Sequence, residues 1–340
     1  MDRTGSNMLF ETIGGTETCH KLSQAFYRRV EHDPLLRPLF PGTTLRCAVD
    51  AFAAFLVQFL GGPSEDWQFR HWVGLRQSHA RFAIGREHRD AWVSLMHAAI
   101  DDVGIDGAAR EELRNFFDVA AGYMIGKKPG DRRMSRELAG RWAAQKTVDQ
   151  TVAAIAAGEA QRAIRLAAGC PRAILPGVLG LMIGAGDAAL LAYVQERVSG
   201  EPSLVSERYG GKTLLHAAAA AGSLGTVERL LQLGADPNAL DGGRHTPLYS
   251  TGNECASAES AEVVHALVRG GALVDAHDGV TGATPLHMAA RRGNAIVAQA
   301  LLECGANVQA RDRRGDTPRQ RALNCRKAHM VELLARWAAN

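Results

Sequence analysis

His79 stands in the run Leu75-Arg76-Gln77-Ser78-His79-Ala80-Arg81-Phe82-Ala83-Ile84-Gly85, with Trp92 thirteen residues on and Tyr27 far upstream. A neutral imidazole is the commonest side-chain ligand for a metal. A tyrosine hydroxyl and a tryptophan N–H are polar donors on apolar bodies, suited to holding a small polar ligand in a dry pocket. The chain has 12 histidines, so one taken alone means little. His71, His88 and His97 lack comparable surroundings and read as surface or packing residues.

Such a set needs rigid elements to hold it. From Leu9 to about Lys128 the chain reads as helices with short breaks. Apolar residues recur at helical spacing at Leu22, Ala25, Phe26 and Val30, and again in Ala48 to Leu60, Ala91 to Val103 and Leu113 to Ile125. Gly14-Gly15, Asp33-Pro34, Pro38, Pro41-Gly42 and Gly61-Gly62-Pro63 interrupt them. No stretch argues for strands, so an all-α domain is expected over residues 8–128.

Six segments then occur in order. They are Phe10-Glu11-x-Ile13-Gly14-Gly15, Ala25-Phe26-Tyr27-x-x-Val30, the run from Asp33-Pro34 to Phe40-Pro41, Phe59-Leu60-Gly61-Gly62-Pro63, His79-Ala80-x-Phe82 and Glu87-x-Arg89-Asp90-Ala91-Trp92. Together they resemble the truncated haemoglobins of group II, whose fold is a two-over-two helical sandwich around haem. The resemblance covers nearly all of this domain, although each segment alone is weak.

The resemblance implies that His79 ligates haem iron on the proximal side. Tyr27 is then implied to place its hydroxyl over the distal face, and Trp92 to aim its indole N–H at the same ligand. Phe40 would stack on the haem, Ala48, Phe52 and Phe55 match the distal helix, and Phe82 follows His79 in the pocket. Arg76, one helical turn before His79, is placed to pair with a propionate. Bound dioxygen carries partial negative charge, so fixed O–H and N–H donors retain it. Ala48 stands where many globins carry a polar residue, which rests that retention on Tyr27 and Trp92. His71-Trp72-Val73 in place of Gly-His-Pro, Arg81 in place of a frequent proline and the bulky Phe52 depart from the family pattern and bear on ligand access.

The second half carries an internal period. Gly211-Lys-Thr213-Leu-Leu-His216, His245-Thr246-Pro-Leu-Tyr249, Ala283-Thr284-Pro-Leu-His287 and Asp316-Thr317-Pro-Arg-Gln320 align, with threonines 33, 38 and 33 residues apart. Val-x-x-Leu-Leu and Gly-Ala pairs recur between them, at Gly234-Ala235, Gly271-Ala272 and Gly305-Ala306. Threonine caps a helix and proline suits its first turn, while Gly222 and Gly293 sit where a helix must end left-handed. This closely resembles the ankyrin repeat, which implies an α-solenoid that binds proteins. Residues 211–340 are expected to form four repeats, the charged last one serving as a cap. Residues 145–210 read as degenerate repeats, with an unrelated helical segment as the alternative. The second repeat carries extra residues around Gly252-Asn253-Glu254-Cys255.

Between the halves lies a basic run, Lys127, Lys128, Arg132, Arg133, Arg136 and Arg141, which reads as a solvated linker over 129–144. The formal net charge is +3, which gives no electrostatic ground for a nucleic-acid partner. Six scattered cysteines without a C-x-x-C pair suggest reduced thiols and a cytoplasmic setting. No secretory signal is expected. The apolar stretch 173–194 is long enough for a bilayer, yet Pro176, its glycines and Gly186-Asp187 favour buried solenoid helices.

The leading expectation is a haem protein that binds dioxygen, NO or CO and docks an unknown protein through its ankyrin array. Enzymatic NO dioxygenation or peroxidase-like turnover is the alternative, and would need an external electron donor. A third reading leaves the ankyrin array as the working part beside a vestigial globin module.

Overall fold

The computed structural model describes residues 8–40, 42–62, 74–79, 82–126, 134–254 and 257–339. Every regular element among them is helical, the one β feature being an isolated bridge between Tyr209 and Lys212. The chain divides into two units, Met1–Gln150 and Thr151–Asn340.

The first unit contains α1 (Met8–Thr12), α2 (Gly15–Val30), α3 (Arg46–Leu60), α4 (Leu75–His79), α5 (Arg86–Asp102), α6 (Gly107–Met124) and most of α7 (Arg136–Ala156). Helix α2 packs on α3 and α5, and α5 on α6. The expected apolar positions form the interface: Leu22, Phe26, Val30, Leu56, Leu60, Met96, Ile100, Leu113, Phe116 and Phe117 are all essentially inaccessible. A side chain at Gly62 would collide with the ring of Phe10 and with Val57, so this turn can close over α1 only with glycine. The expected linker is corrected here. From Arg136 onward the chain is helical, because Leu138, Trp142, Gln145 and Val148 recur on one face and are buried. Leu138 and Trp142 join the core of the first unit, with Trp142 edge-on to Phe116 at 5.7 Å. Arg141 pairs with Glu137 one turn earlier. Lys127, Lys128, Arg132 and Arg133 lie outside the described residues.

In the second unit α8 (Ala160–Ala167) precedes the pair α9 (Leu175–Ala185) and α10 (Ala188–Gly200). Then come four further pairs: α11 (Leu214–Ala221) with α12 (Leu224–Gln232), α13 (Pro247–Glu254) with α14 (Ser260–Arg269), α15 (Pro285–Arg292) with α16 (Ala295–Glu303), and α17 (Pro318–Asn324) with α18 (Ala328–Ala339). First helices stack on first helices and second on second, and the α9–α10 pair continues the same stack upstream. No helix among the described residues is long and apolar enough to cross a membrane. The 173–194 stretch is split at Gly186, and Asp187 caps α10 by accepting the Ala189 and Leu190 N–H groups.

Capping sets the repeat. Thr284 and Thr317 accept the N–H of the residue three further on, and Gly222 and Gly293 end their helices at φ 70° and 81°. The histidines of the first and third repeats are wholly buried. His216 takes the Thr213 N–H on Nδ1 at 3.2 Å and reaches the His245 carbonyl with Nε2 at 3.0 Å. His287 repeats this with Thr284 at 3.2 Å and the Asp316 carbonyl at 3.0 Å. In the second repeat Tyr249 replaces the histidine and its hydroxyl donates to Asp278 at 3.2 Å. All three bridges reach 29 residues along the chain, so tyrosine keeps the span with a different donor. Asn238 adds a link by donating to the Gly271 carbonyl and accepting the Leu273 N–H.

Candidate functional site

The residues singled out in the first unit come together from five elements. Tyr27 lies on α2, Phe40 follows a 3-10 turn at Arg37–Leu39, and Ala48, Phe52 and Phe55 lie on α3. Arg76 and His79 lie on α4, Phe82 in the bend after it, and Trp92 on α5. Each placement has a local cause. Ser23, buried one turn before Tyr27, donates to the Val49 carbonyl at 2.7 Å and fixes α2 against α3. Asp33 accepts the Leu35 and Leu36 N–H groups, making the turn that delivers Phe40, and the Arg37 guanidinium clips the Phe40 carbonyl. Arg89, one turn before Trp92, lies 3.8 Å from the buried Asp118 carboxylate on α6.

A chain of ring contacts joins the set. His79 lies 6.3 Å from Phe82, Phe82 lies 6.0 Å from Phe40, and Phe40 is edge-on to Tyr27 at 5.6 Å. Tyr27 is 6.2 Å from Phe52, which lies 6.3 Å from Trp92 and stacks on Phe55 at 6.1 Å. All these rings are only partly buried, although they touch one another and the core beneath. They form an apolar wall with uncovered surface, the lining that a flat apolar molecule would cover. Ala48, also partly exposed, stands one turn before Phe52 on the same helix.

The electrostatics of the two polar groups are specific. His79 directs Nδ1 at the Leu75 carbonyl at 2.9 Å. A carbonyl only accepts, so Nδ1 carries the proton and Nε2 is the lone-pair nitrogen, the tautomer of a metal-ligating imidazole held by its second nitrogen. Burial pushes the Tyr27 hydroxyl well above its ordinary pKa, with no charged neighbour contributing. Tyr27 therefore stays protonated and acts as a donor. This donor set and this lining fit an iron macrocycle.

Arg76 stands apart from the wall. Its side chain is exposed and its guanidinium lies 4.8 Å over the ring of Tyr123 on α6. Tyr123 is edge-on to Trp142 of α7 at 5.3 Å. The buried Asp149 of α7 accepts the Arg76 backbone N–H at 3.3 Å. Sequence reasoning missed Tyr123, Trp142 and Asp149. A signal existed, since Leu138, Trp142, Gln145 and Asp149 follow at intervals of four, three and four residues within the charged stretch. The departures at His71-Trp72-Val73 and Arg81 lie outside the described residues, as does Cys255 of the second repeat.

Comparison with known proteins agrees with both halves. The family described as bacterial-like globin matches residues 8–125, and ankyrin repeats match residues 210–242 and, as three copies, 253–340. The chain is 36% identical over 129 residues to group 2 truncated hemoglobin YjbI of Bacillus subtilis, covering 38% of this chain and 96% of that protein. It is 31% identical over 120 residues to group 2 truncated hemoglobin 3-1 of Lotus japonicus, covering 34% of this chain and 71% of that protein. Over 110 residues it is 37% identical to human ankyrin repeat and SOCS box protein 16, covering 32% of this chain but only 23% of that protein. Matched over nearly the whole of one relative, and with His79, Tyr27 and Trp92 gathered by one aromatic wall, the chain belongs to the group 2 truncated haemoglobin family in its first part and carries ankyrin repeats in its second.

Proposed function

We propose that the first unit holds haem through His79 and binds a diatomic molecule, dioxygen, NO or CO, while the ankyrin array docks a protein. The observation that carries this reading is the Nδ1 contact of His79 with the Leu75 carbonyl, at the end of the ring chain that leads to Tyr27 and Trp92. Haem supplies the iron centre at which the diatomic molecule binds. His79 Nε2 would hold that centre. The Tyr27 hydroxyl, kept protonated by burial, and the Trp92 indole N–H would supply donors to the ligand. Phe40, Ala48, Phe52, Phe55 and Phe82 keep water out, which strengthens both donors. Arg76 remains the candidate partner of a propionate, and would then leave its place over Tyr123.

We assign residues 8–128, with α7 as far as Gln150 packed on them, to the haem domain, 151–210 to degenerate repeats that extend the array and 211–340 to the four repeats. Scattered cysteines suit a reducing cytoplasm. Absorption spectra of ferric, ferrous and CO-bound protein test the reading. A Soret band that shifts with oxidation state and with CO is expected, and a protein that takes up no haem sinks it.

A further inference from the structure

Helix α7 lies beyond the residues matched to the globin family, yet it reaches the turn that carries the proximal histidine. Its buried Asp149 accepts the Arg76 N–H at 3.3 Å, and α4 begins at Leu75 and ends at His79. The Leu75 carbonyl is the group that holds His79 Nδ1. One peptide unit therefore has its N–H, from Arg76, on the Asp149 carboxylate and its carbonyl, from Leu75, on the imidazole. The Arg76 side chain closes the same corner from outside by covering Tyr123, which in turn packs on Trp142 of α7.

From this geometry we infer that Asp149 is a positioning residue for His79. It anchors the first amides of α4, so that the Leu75 carbonyl keeps the imidazole in its ligating tautomer and orientation. Burial raises the Asp149 pKa above the ordinary carboxyl value, against the opposing hydrogen bonds from the Arg76 and Leu75 amides. A buried acceptor so placed is engaged by backbone N–H groups. Second partners of this kind tune a metal ligand without touching the metal. The helix runs on to Ala156, past the end of the first unit at Gln150, so the anchor sits on the segment that leads into the solenoid.

The inference rests on His79 being the haem ligand, and its test separates the two claims. Full-length Asp149→Ala and Asp149→Asn are compared with the unaltered chain in two assays. In haem-free protein, hydrogen exchange at the Leu75 and Arg76 amides reads the anchor itself. In haem-loaded protein, the rate of haem transfer to an acceptor globin and the iron–histidine stretching band read its reach to His79. Asp149→Ala is expected to speed amide exchange and haem loss by about tenfold and to shift the stretching band. Asp149→Asn, which keeps an acceptor oxygen, should recover most of both. Unchanged exchange in Asp149→Ala overturns the anchor. Faster exchange with wild-type haem loss and an unmoved band overturns the positioning role. An unaltered chain that takes up no haem overturns the haem reading itself, a failure visible without any variant.

Discussion

His79 in the first unit and the buried repeat histidines of the second stand in opposite tautomers. In the first, His79 donates from Nδ1 to a carbonyl four residues back, which makes Nε2 the lone-pair nitrogen. In the second, His216 and His287 accept a threonine N–H on Nδ1 and present Nε2 to the carbonyl of the next repeat. Both solenoid nitrogens are thus engaged by protein within a fully buried site. Burial lowers the pKa of both residues, in keeping with a neutral ring used as a clip. The comparison teaches that a histidine's chemistry is set by which nitrogen its own backbone claims.

The largest test of the contrast is His79→Ala. It should weaken haem retention by at least about 100-fold, the upper end of what losing a mere supporting partner costs. Thermal melting of the solenoid should stay unchanged, and titration with haem beside circular dichroism measures both. If melting of the solenoid moved as much as haem affinity, the two roles would not be distinct.

Acid should act next, and on the solenoid. Burial raises the carboxyls of Asp241 and Asp278, but hydrogen bonds, from His245 to Asp241 and from Thr281 to Asp278, outweigh it and hold both at about 2. Their folded pKa lies below the unfolded value of 3.8, so their stabilisation is complete above 3.8 and is lost as pH falls toward 2. About 3 kcal/mol should disappear across that window, read as a falling urea midpoint. In the first unit Asp149 is shifted the other way, so its carboxyl does not contribute to this loss.

His287→Ala comes third. It strands the Thr284 N–H and the Asp316 carbonyl, and should cost the solenoid about 2 kcal/mol with the haem spectrum untouched. Tyr27→Phe removes one donor from the wall and should speed gas release about tenfold at constant haem affinity, measured by flash photolysis or stopped flow. The smallest effect belongs to Tyr249→Phe, about 1 kcal/mol, because Asp278 keeps the amides of Val280, Thr281 and Gly282. A larger cost there than for His287→Ala would show that tyrosine does more than substitute for the clip.

Legibility followed the range of the interactions. The solenoid could be read because its signals are local and repeat: threonine caps, prolines at the first turn and left-handed glycines recur within one short period. The wall could be read because Tyr27, Phe40, His79 and Trp92 keep recognisable neighbours. Helix α7 could not, because its charged face dominates the composition while Leu138, Trp142 and Asp149 show their role only against partners far upstream. The contact of Arg76 with Tyr123 was hidden in the same way, since the ring it covers lies on another helix.

By itself the sequence determined two all-α halves, the repeat phase and a histidine, tyrosine and tryptophan that one chain of ring contacts joins. These follow from periodicity and capping, which act within a few residues. Only the tertiary structure decided that the Leu75 carbonyl selects the tautomer of His79 and that Asp149 anchors the turn below it. Both depend on backbone groups whose chemistry every residue shares, and no side-chain pattern announces where a carbonyl or an amide will point.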